Sequence, residues 1–270
     1  MVLTPLSKKE LESIFDESSL IVIKHLIKKA IFSQPELLPN QKELPIQIPK
    51  EHIEQWIVQA IGGEAVGAGS YPVDVIKNNL FGADVKMLSC KVNPETGELL
   101  NKESGETSLA QKFRDAGSNL DVLFANKKYD EILDGFKLIV KDKLESVKLE
   151  RKLDNIYYFF ILRAKNKFHL CGLRVNIEEI GNVSVIRATN DSVYASNYID
   201  SALGNVKVYK AKKRLELRLK PKRWVDDDLV ITFEIHPVYR EVNLRDFVVK
   251  GVLDVYQKEI IGEIFNYLYD

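Results

Sequence analysis

Asp84-Val85-Lys86 stands near the start of an apolar stretch that continues through Met87 and Leu88 to Cys90. Strand alternation puts Asp84 and Lys86 on one face and Val85 and Met87 on the other. Nine residues separate Asp84 from an earlier acid, Asp74. Between them lies KNNLFG, whose Asn78, Asn79 and Gly82 suit a tight reversal. Closing that hairpin sets Asp74 beside Asp84. Two carboxylates converging from adjacent strands make a hard-oxygen site suited to Mg²⁺. An ammonium beside them orients an attacking water or, when deprotonated, activates it. Together these groups are the equipment for metal-assisted phosphodiester hydrolysis.

Glu64 joins the set if the helix beginning near Lys50 runs past Ile61. It follows Ala60 and Ile61 at i+4 and i+3, on the face that packs against the sheet. A carboxylate there needs a partner or a metal. Glycines at 62, 63, 67 and 69 weaken the helix and would instead permit close backbone approach. Acid, any residue, lysine also occurs at Glu150-Arg151-Lys152, at the end of a long charged helix, where it reads as solvated surface. The plainer alternative for the first triplet is a strand-edge ion pair of Lys86 with Asp84 or Asp74 in a non-catalytic DNA-binding module.

The elements that must position these groups follow from periodicity. Residues 7–32 read as a helix opened by a Ser7/Glu10 capping box. Pro35, Pro39, Pro45 and Pro49 mark an extended connection before a second helix, with Ile53, Trp56, Ile57, Ala60 and Ile61 on one face. Strands are predicted at 71–76 and 83–90, a helix at 108–116 closed by Gly117, and a long helix at 128–149. Further strands are predicted at 156–164, 168–177, 183–188, 207–219 and 229–235. A closing helix capped by Asn243 carries Phe247, Val248, Tyr256, Ile260, Ile261, Ile264, Phe265 and Leu268 on its apolar face. The order predicts one α/β (α+β) domain over 1–270.

Lys plus Arg and Asp plus Glu both number 39 in 270 residues, so the net charge is zero, and 45% of residues are hydrophobic. No apolar run approaches the ~18 residues of a membrane span. The N-terminus lacks a secretion-signal layout, and two cysteines, Cys90 and Cys171, build neither a disulfide framework nor a CxxC site; a reducing cytoplasm is expected. His25, His52, His169 and His236 lack zinc spacing, and no GxxxxGK[ST] phosphate loop occurs. Neutrality conceals an uneven distribution: between 207 and 223 nine basic residues face one acid, Glu216.

Pro72-Val73-Asp74, nine residues, then Asp84-Val85-Lys86 resembles the PD-(D/E)xK nuclease signature, especially that of type II restriction endonucleases; Val73 separates the Pro and Asp that adjoin in the nominal motif. The resemblance is close over about 30 residues and extends, as helix–hairpin–strand–helix order, to about residue 150. It implies a restriction-endonuclease-like core, a central mixed sheet flanked by helices, with 1–50 as N-terminal helix and connection, 51–177 as catalytic core, and 178–270 as strand-rich DNA-recognition part and closing helix. It implies Mg²⁺-dependent hydrolysis of double-stranded DNA at a short specific sequence by a homodimer, alongside a cognate DNA methyltransferase. Asp74 and Asp84 match its metal ligands, Lys86 its catalytic lysine and Glu64 its helical acid. Ser108, Gln111 and Lys112, on the following helix, become sources of substrate contacts. Beside such a centre Lys210, Lys212, Lys213 and Arg214 are expected to follow phosphates. Arg187, Asn190 and Asn197, in a polar loop, are expected to read base edges. A repair or recombination nuclease that reads DNA structure remains the alternative.

Overall fold

Strand register sets where the chemistry sits. The computed structural model describes residues 1–44, 46–66, 71–111, 113 and 119–269. The chain runs β1 (Leu3–Pro5), α1 (Lys8–Ile14), α2 (Glu17–Phe32), α3 (Lys50–Ile61), β2 (Glu64–Ala65), β3 (Val75–Lys77), β4 (Phe81–Ser89) and β5 (Thr107–Gln111). Next come α4 (Leu120–Ala125), α5 (Tyr129–Glu150), β6 (Asn155–Ala164), β7 (Lys167–Val175), β8 (Val185–Ala188), β9 (Ser192–Ala195), β10 (Gly204–Tyr209) and β11 (Arg214–Leu219). The chain closes with α6 (Pro221–Asp226), β12 (Ile231–Glu234), α7 (Leu244–Val249) and α8 (Leu253–Tyr269). Among the described residues no helix is long and apolar enough to cross a membrane.

The larger sheet has the order β1-β7-β6-β4-β3-β2, with β12 also on β7. It is mixed: β4 and β6 are parallel and the other pairs antiparallel. A parallel pair needs a crossover, and α5 lies within it. Helices α1, α2 and α3 cover one face, where Phe15, Ile27 and Ile57 pack on Val85, Phe159 and Ile161. On the other face α5, through Phe136, Val140 and Leu144, packs with Tyr158, Phe160 and Leu162 of β6. Both faces of β6 are therefore covered, which explains its unbroken apolar run. A smaller antiparallel sheet, β5-β11-β10-β9-β8, adds Val206, Val208, Leu215 and Leu217 to the same α5 core. The expected mixed sheet with flanking helices is present.

Several boundaries differ from the sequence expectations, each for a local reason. The first helix is two: Asp16 accepts from Ser19 N at 2.8 Å and caps α2 afresh. The predicted 108–116 helix is instead β5 in its described part, because residues 107–111 pair with β11; Lys112 and 114–118 lie outside the described residues. The single strand predicted at 207–219 is the β10–β11 hairpin, turned by Lys213 at φ 48°. The polar 187–197 segment contains β9, paired on both sides. The closing helix breaks at Gly251, whose φ is +67°.

Candidate active site

Strand β3 pairs with β4 only from Val75↔Ala83 to Lys77↔Phe81. Asp74 N–H still donates to Ala83 O at 2.8 Å, but from there the ladder changes partner: Val85 N–H donates to the Asp74 side chain, Oδ2, at 2.8 Å. A carboxylate thus replaces a backbone carbonyl and is fixed at the edge of β4. Asp84 and Lys86 share one face of β4, as alternation predicts, opposite Tyr158 and Phe160 of β6.

Lys86 Nζ gathers the oxygens. It lies 2.8 Å from Asp74 Oδ2, 3.0 Å from Asp84 Oδ1 and 3.0 Å from the Val85 carbonyl. Their side chains are 18% (Asp74), 16% (Asp84) and 34% (Lys86) exposed. A fourth oxygen, Glu54 Oε1 from α3, stands 3.8 Å from Nζ. Burial pushes the Asp84 carboxyl up to about 7 against the pull of the Lys86 ammonium. For Lys86 burial acts downward, but Asp84 and Asp74 outweigh it and raise its pKa above the ordinary lysine value, so it is a cation at neutral pH.

Asp84 Oδ2 is buried and has no hydrogen-bond donor. Buried carboxylate oxygens are costly without a partner, and Glu216 Oε2 on β11 is in the same condition. Among the described residues no group of three or more His, Cys, Asp or Glu is placed to hold a metal ion. The oxygen set here is smaller, two carboxylates and the Val85 carbonyl. It fits Mg²⁺, which is commonly held by one or two carboxylates and completes its shell with water and substrate phosphate.

These groups open on a cleft of about 910 Å³, lined also by Tyr71, Pro72, Tyr158, Ser108 and Gln111, with Leu138, Ile139 and Asp142 of α5 forming its far wall. Ser108 and Gln111 therefore reach the cleft, from a strand instead of the expected helix; Lys112 lies outside the described residues. Glu64 is placed elsewhere. Gly62 adopts φ 61° and ends α3, so Glu64 falls on β2 opposite Ile76, exposed, and its charge is felt by Arg151. The helical acid beside Lys86 is Glu54, ten residues earlier. Its signal was its position among Ile53, Ile57 and Val58, all buried in α3.

The seven expected DNA contacts divide. Lys212 and Arg214 converge on Glu106, a residue of the loop before β5; the Arg214 distance is 3.2 Å, and Arg218 joins at 3.3 Å. Arg214 also pairs with Glu216, at 2.8 Å, and Glu216 is 0% exposed. Lys213 pairs with Asp121 at 3.1 Å, and Lys210 stands over the Phe124 ring. Arg187 lies across Tyr194, 4.0 Å from its centroid. Asn190 is exposed at the β8–β9 turn. Asn197, at φ 55°, donates to Asn182 O at 3.1 Å, while its own carbonyl accepts from Val2 N; it ties the segment after β9 to the N-terminus. The nine-to-one excess of bases read along the chain is thus reduced in space, because Glu106 comes from far upstream. No family model, no curated protein and no solved structure matches the chain.

Proposed function

We propose that the chain is a Mg²⁺-dependent endonuclease that hydrolyses phosphodiester bonds of double-stranded DNA at a short specific sequence, as type II restriction endonucleases do, on a restriction-endonuclease-like core. The observation that carries this reading is the convergence of Asp74, Asp84 and the Val85 carbonyl on Lys86 Nζ at the cleft. Asp74 and Asp84, with the Val85 carbonyl, are the residues that would hold Mg²⁺. The ion supplies Lewis acidity toward the phosphoryl oxygens. Asp74 is oriented for this by the Val85 N–H, and Asp84 by its place on β4 against Tyr158. Lys86, as an ammonium on the open strand edge, holds the attacking water and donates to the charge that builds on phosphorus-bound oxygen. Glu54 keeps the Lys86 ammonium directed at this point.

Cutting both strands of a palindrome calls for two copies, in keeping with a homodimer. The apolar side chains left exposed on the closing helices, Val248, Val249, Val255, Ile261 and Phe265, are the surface we assign to that pairing. A cognate DNA methyltransferase would protect the host sequence.

The test is digestion of a sequenced plasmid with and without Mg²⁺. Discrete bands that require the ion are expected; diffuse or junction-limited cutting would move the reading to a structure-specific repair nuclease. Asp84→Ala and Lys86→Ala should each lower cleavage by about 10³-fold or more while DNA binding, measured by anisotropy, survives. Wild-type cleavage by either variant sinks the site assignment.

A further inference from the structure

The smaller sheet carries a charged row that begins at the cleft. Register places Ser108 of β5 opposite Glu216, Glu216 opposite Lys207, Lys207 opposite Tyr194, and Tyr194 opposite Arg187. Residues opposite one another share a face. Val206 and Val208, on either side of Lys207, are buried in the α5 core, so this row lies on the outer face. Ser108 lines the cleft that holds Asp84 and Lys86. At its far end the row is a stack: Arg187 lies over Tyr194, and Lys207 Nζ stands 5.5 Å from the Tyr194 centroid and 5.1 Å from that of Tyr209.

A cation held over an aromatic face is positioned without losing its charge. Because Arg187 and Lys207 already occupy the Tyr194 ring, the face offers fixed cations and not a bare platform for a base. The chemistry that matches fixed cations is the phosphodiester backbone of a duplex. Neighbouring strands are about 4.8 Å apart, which puts Lys207 about 10 Å and Arg187 about 19 Å from Ser108. At about 3.4 Å of rise per nucleotide, these are about three and five to six nucleotides along one strand.

We propose that this row is a flank-binding track: Lys207 and Arg187, held by Tyr194, grip backbone phosphates of duplex DNA about three to six nucleotides outside the cleaved bond. This rests on the endonuclease reading and adds to it a requirement for DNA beyond the cut. Glu216 and the arginines that cover it separate the track from the cleft, so the grip is on flanking phosphates and not on the scissile one.

The experiment compares two duplexes with the same cut position, located on the plasmid, ending about two or about ten base pairs beyond it. The wild-type chain should cleave the long-flank duplex with a KM about tenfold lower than the short. Arg187→Gln/Lys207→Gln should abolish that difference by raising KM on the long duplex alone, leaving kcat in place. The slope of log K against log salt should fall by about two phosphates' worth. Tyr194→Leu should reproduce part of the loss and Tyr194→Phe none, which separates the stack from general surface charge; thermal melts of all variants should match the wild type. If the wild type cleaves but the variants keep its flank preference, the track is wrong while the nuclease reading stands. If no Mg²⁺-dependent cleavage occurs, both fall. If Tyr194→Leu instead destroys binding of a single-stranded oligonucleotide while duplex binding is unchanged, the face stacks bases and the duplex assignment is overturned.

Discussion

The cluster on β4 gathers three acids, Glu54, Asp74 and Asp84, around one base, Lys86. The cluster on β11 gathers three bases, Lys212, Arg214 and Arg218, around two acids, Glu106 and Glu216. Both put a carboxylate deep on a strand, yet they are unbalanced in opposite directions. A buried carboxylate oxygen without a donor is common to both, Asp84 Oδ2 and Glu216 Oε2, but around Lys86 negative charge is in excess, so that a further cation would be compensated there. Around Glu216 positive charge is in excess, and the surplus guanidinium and ammonium groups lie near the protein surface, where a phosphate could meet them. The first arrangement has room for a further positive charge; the second leaves a modest positive surface.

The largest expected difference between the two is in stability. Glu216 is fully buried between Arg214 and Arg218, so Glu216→Ala leaves the two arginines with Glu106, shared with Lys212, as their remaining counter-charge. Removing one partner of a buried ion pair typically costs about 3–5 kcal/mol; because Glu106 stays with both arginines, urea unfolding should show a loss near or below the lower end of that range. Asp84→Ala should lose no more than about 1 kcal/mol, because Lys86 keeps Asp74 and Glu54 beside it. Equal losses at the two positions would erase the distinction between a structural and a functional cluster.

How much of this was legible in the sequence depended on how far apart the interacting residues lie. Asp74, Asp84 and Lys86 belong to one short hairpin, so alternation and a turn signal sufficed to bring them together. The long helix read at 128–149 and the apolar strand at 156–164 were legible because their periodicity is strong. Ser108 and Gln111 were placed near the site but on a helix; their strand exists because β11, about 100 residues later, supplies its ladder. The pairing of Lys212 and Arg214 with Glu106 spans a similar distance, and a linear charge count does not contain it. The choice of Glu64 over Glu54 failed on a single residue: Gly62, in the left-handed region, ends α3 before Glu64 is reached.

That choice gives a smaller test of the β4 cluster. Glu54 stands 3.8 Å from Lys86 Nζ, near enough to direct the ammonium but at the limit of an ion pair. Glu54→Gln should lower kcat by about tenfold, near 1.4 kcal/mol of barrier, with DNA affinity little changed. Glu64→Gln should have a much smaller effect on kcat. A larger loss from Glu64→Gln than from Glu54→Gln would show that the acidic excess around Lys86 is assembled differently from the arrangement described.

The smallest effect is expected from pH and tests the β11 cluster. The hydrogen bond from Lys212 is the main reason that the Glu106 carboxyl is held down to about 2, from an ordinary value of 4.5, with further help from the charges of Lys212 and Arg218. A carboxylate whose pKa is depressed on folding stabilises the fold above its unfolded pKa and loses that contribution as the pH falls through its folded one. The contribution of Glu106 is therefore complete above about pH 5 and disappears between about 4.5 and 2. Because the carboxylate is partly exposed, solvent screening keeps it modest. Glu106→Gln should leave the chain slightly less stable than wild type at pH 6, and the two should converge as the pH falls to 3 and below. Melting midpoints recorded across that range decide the point. A constant gap at every pH would mean that Glu106 contributes packing and not charge, and that the bases of β11 are held apart from one another by something other than this carboxylate.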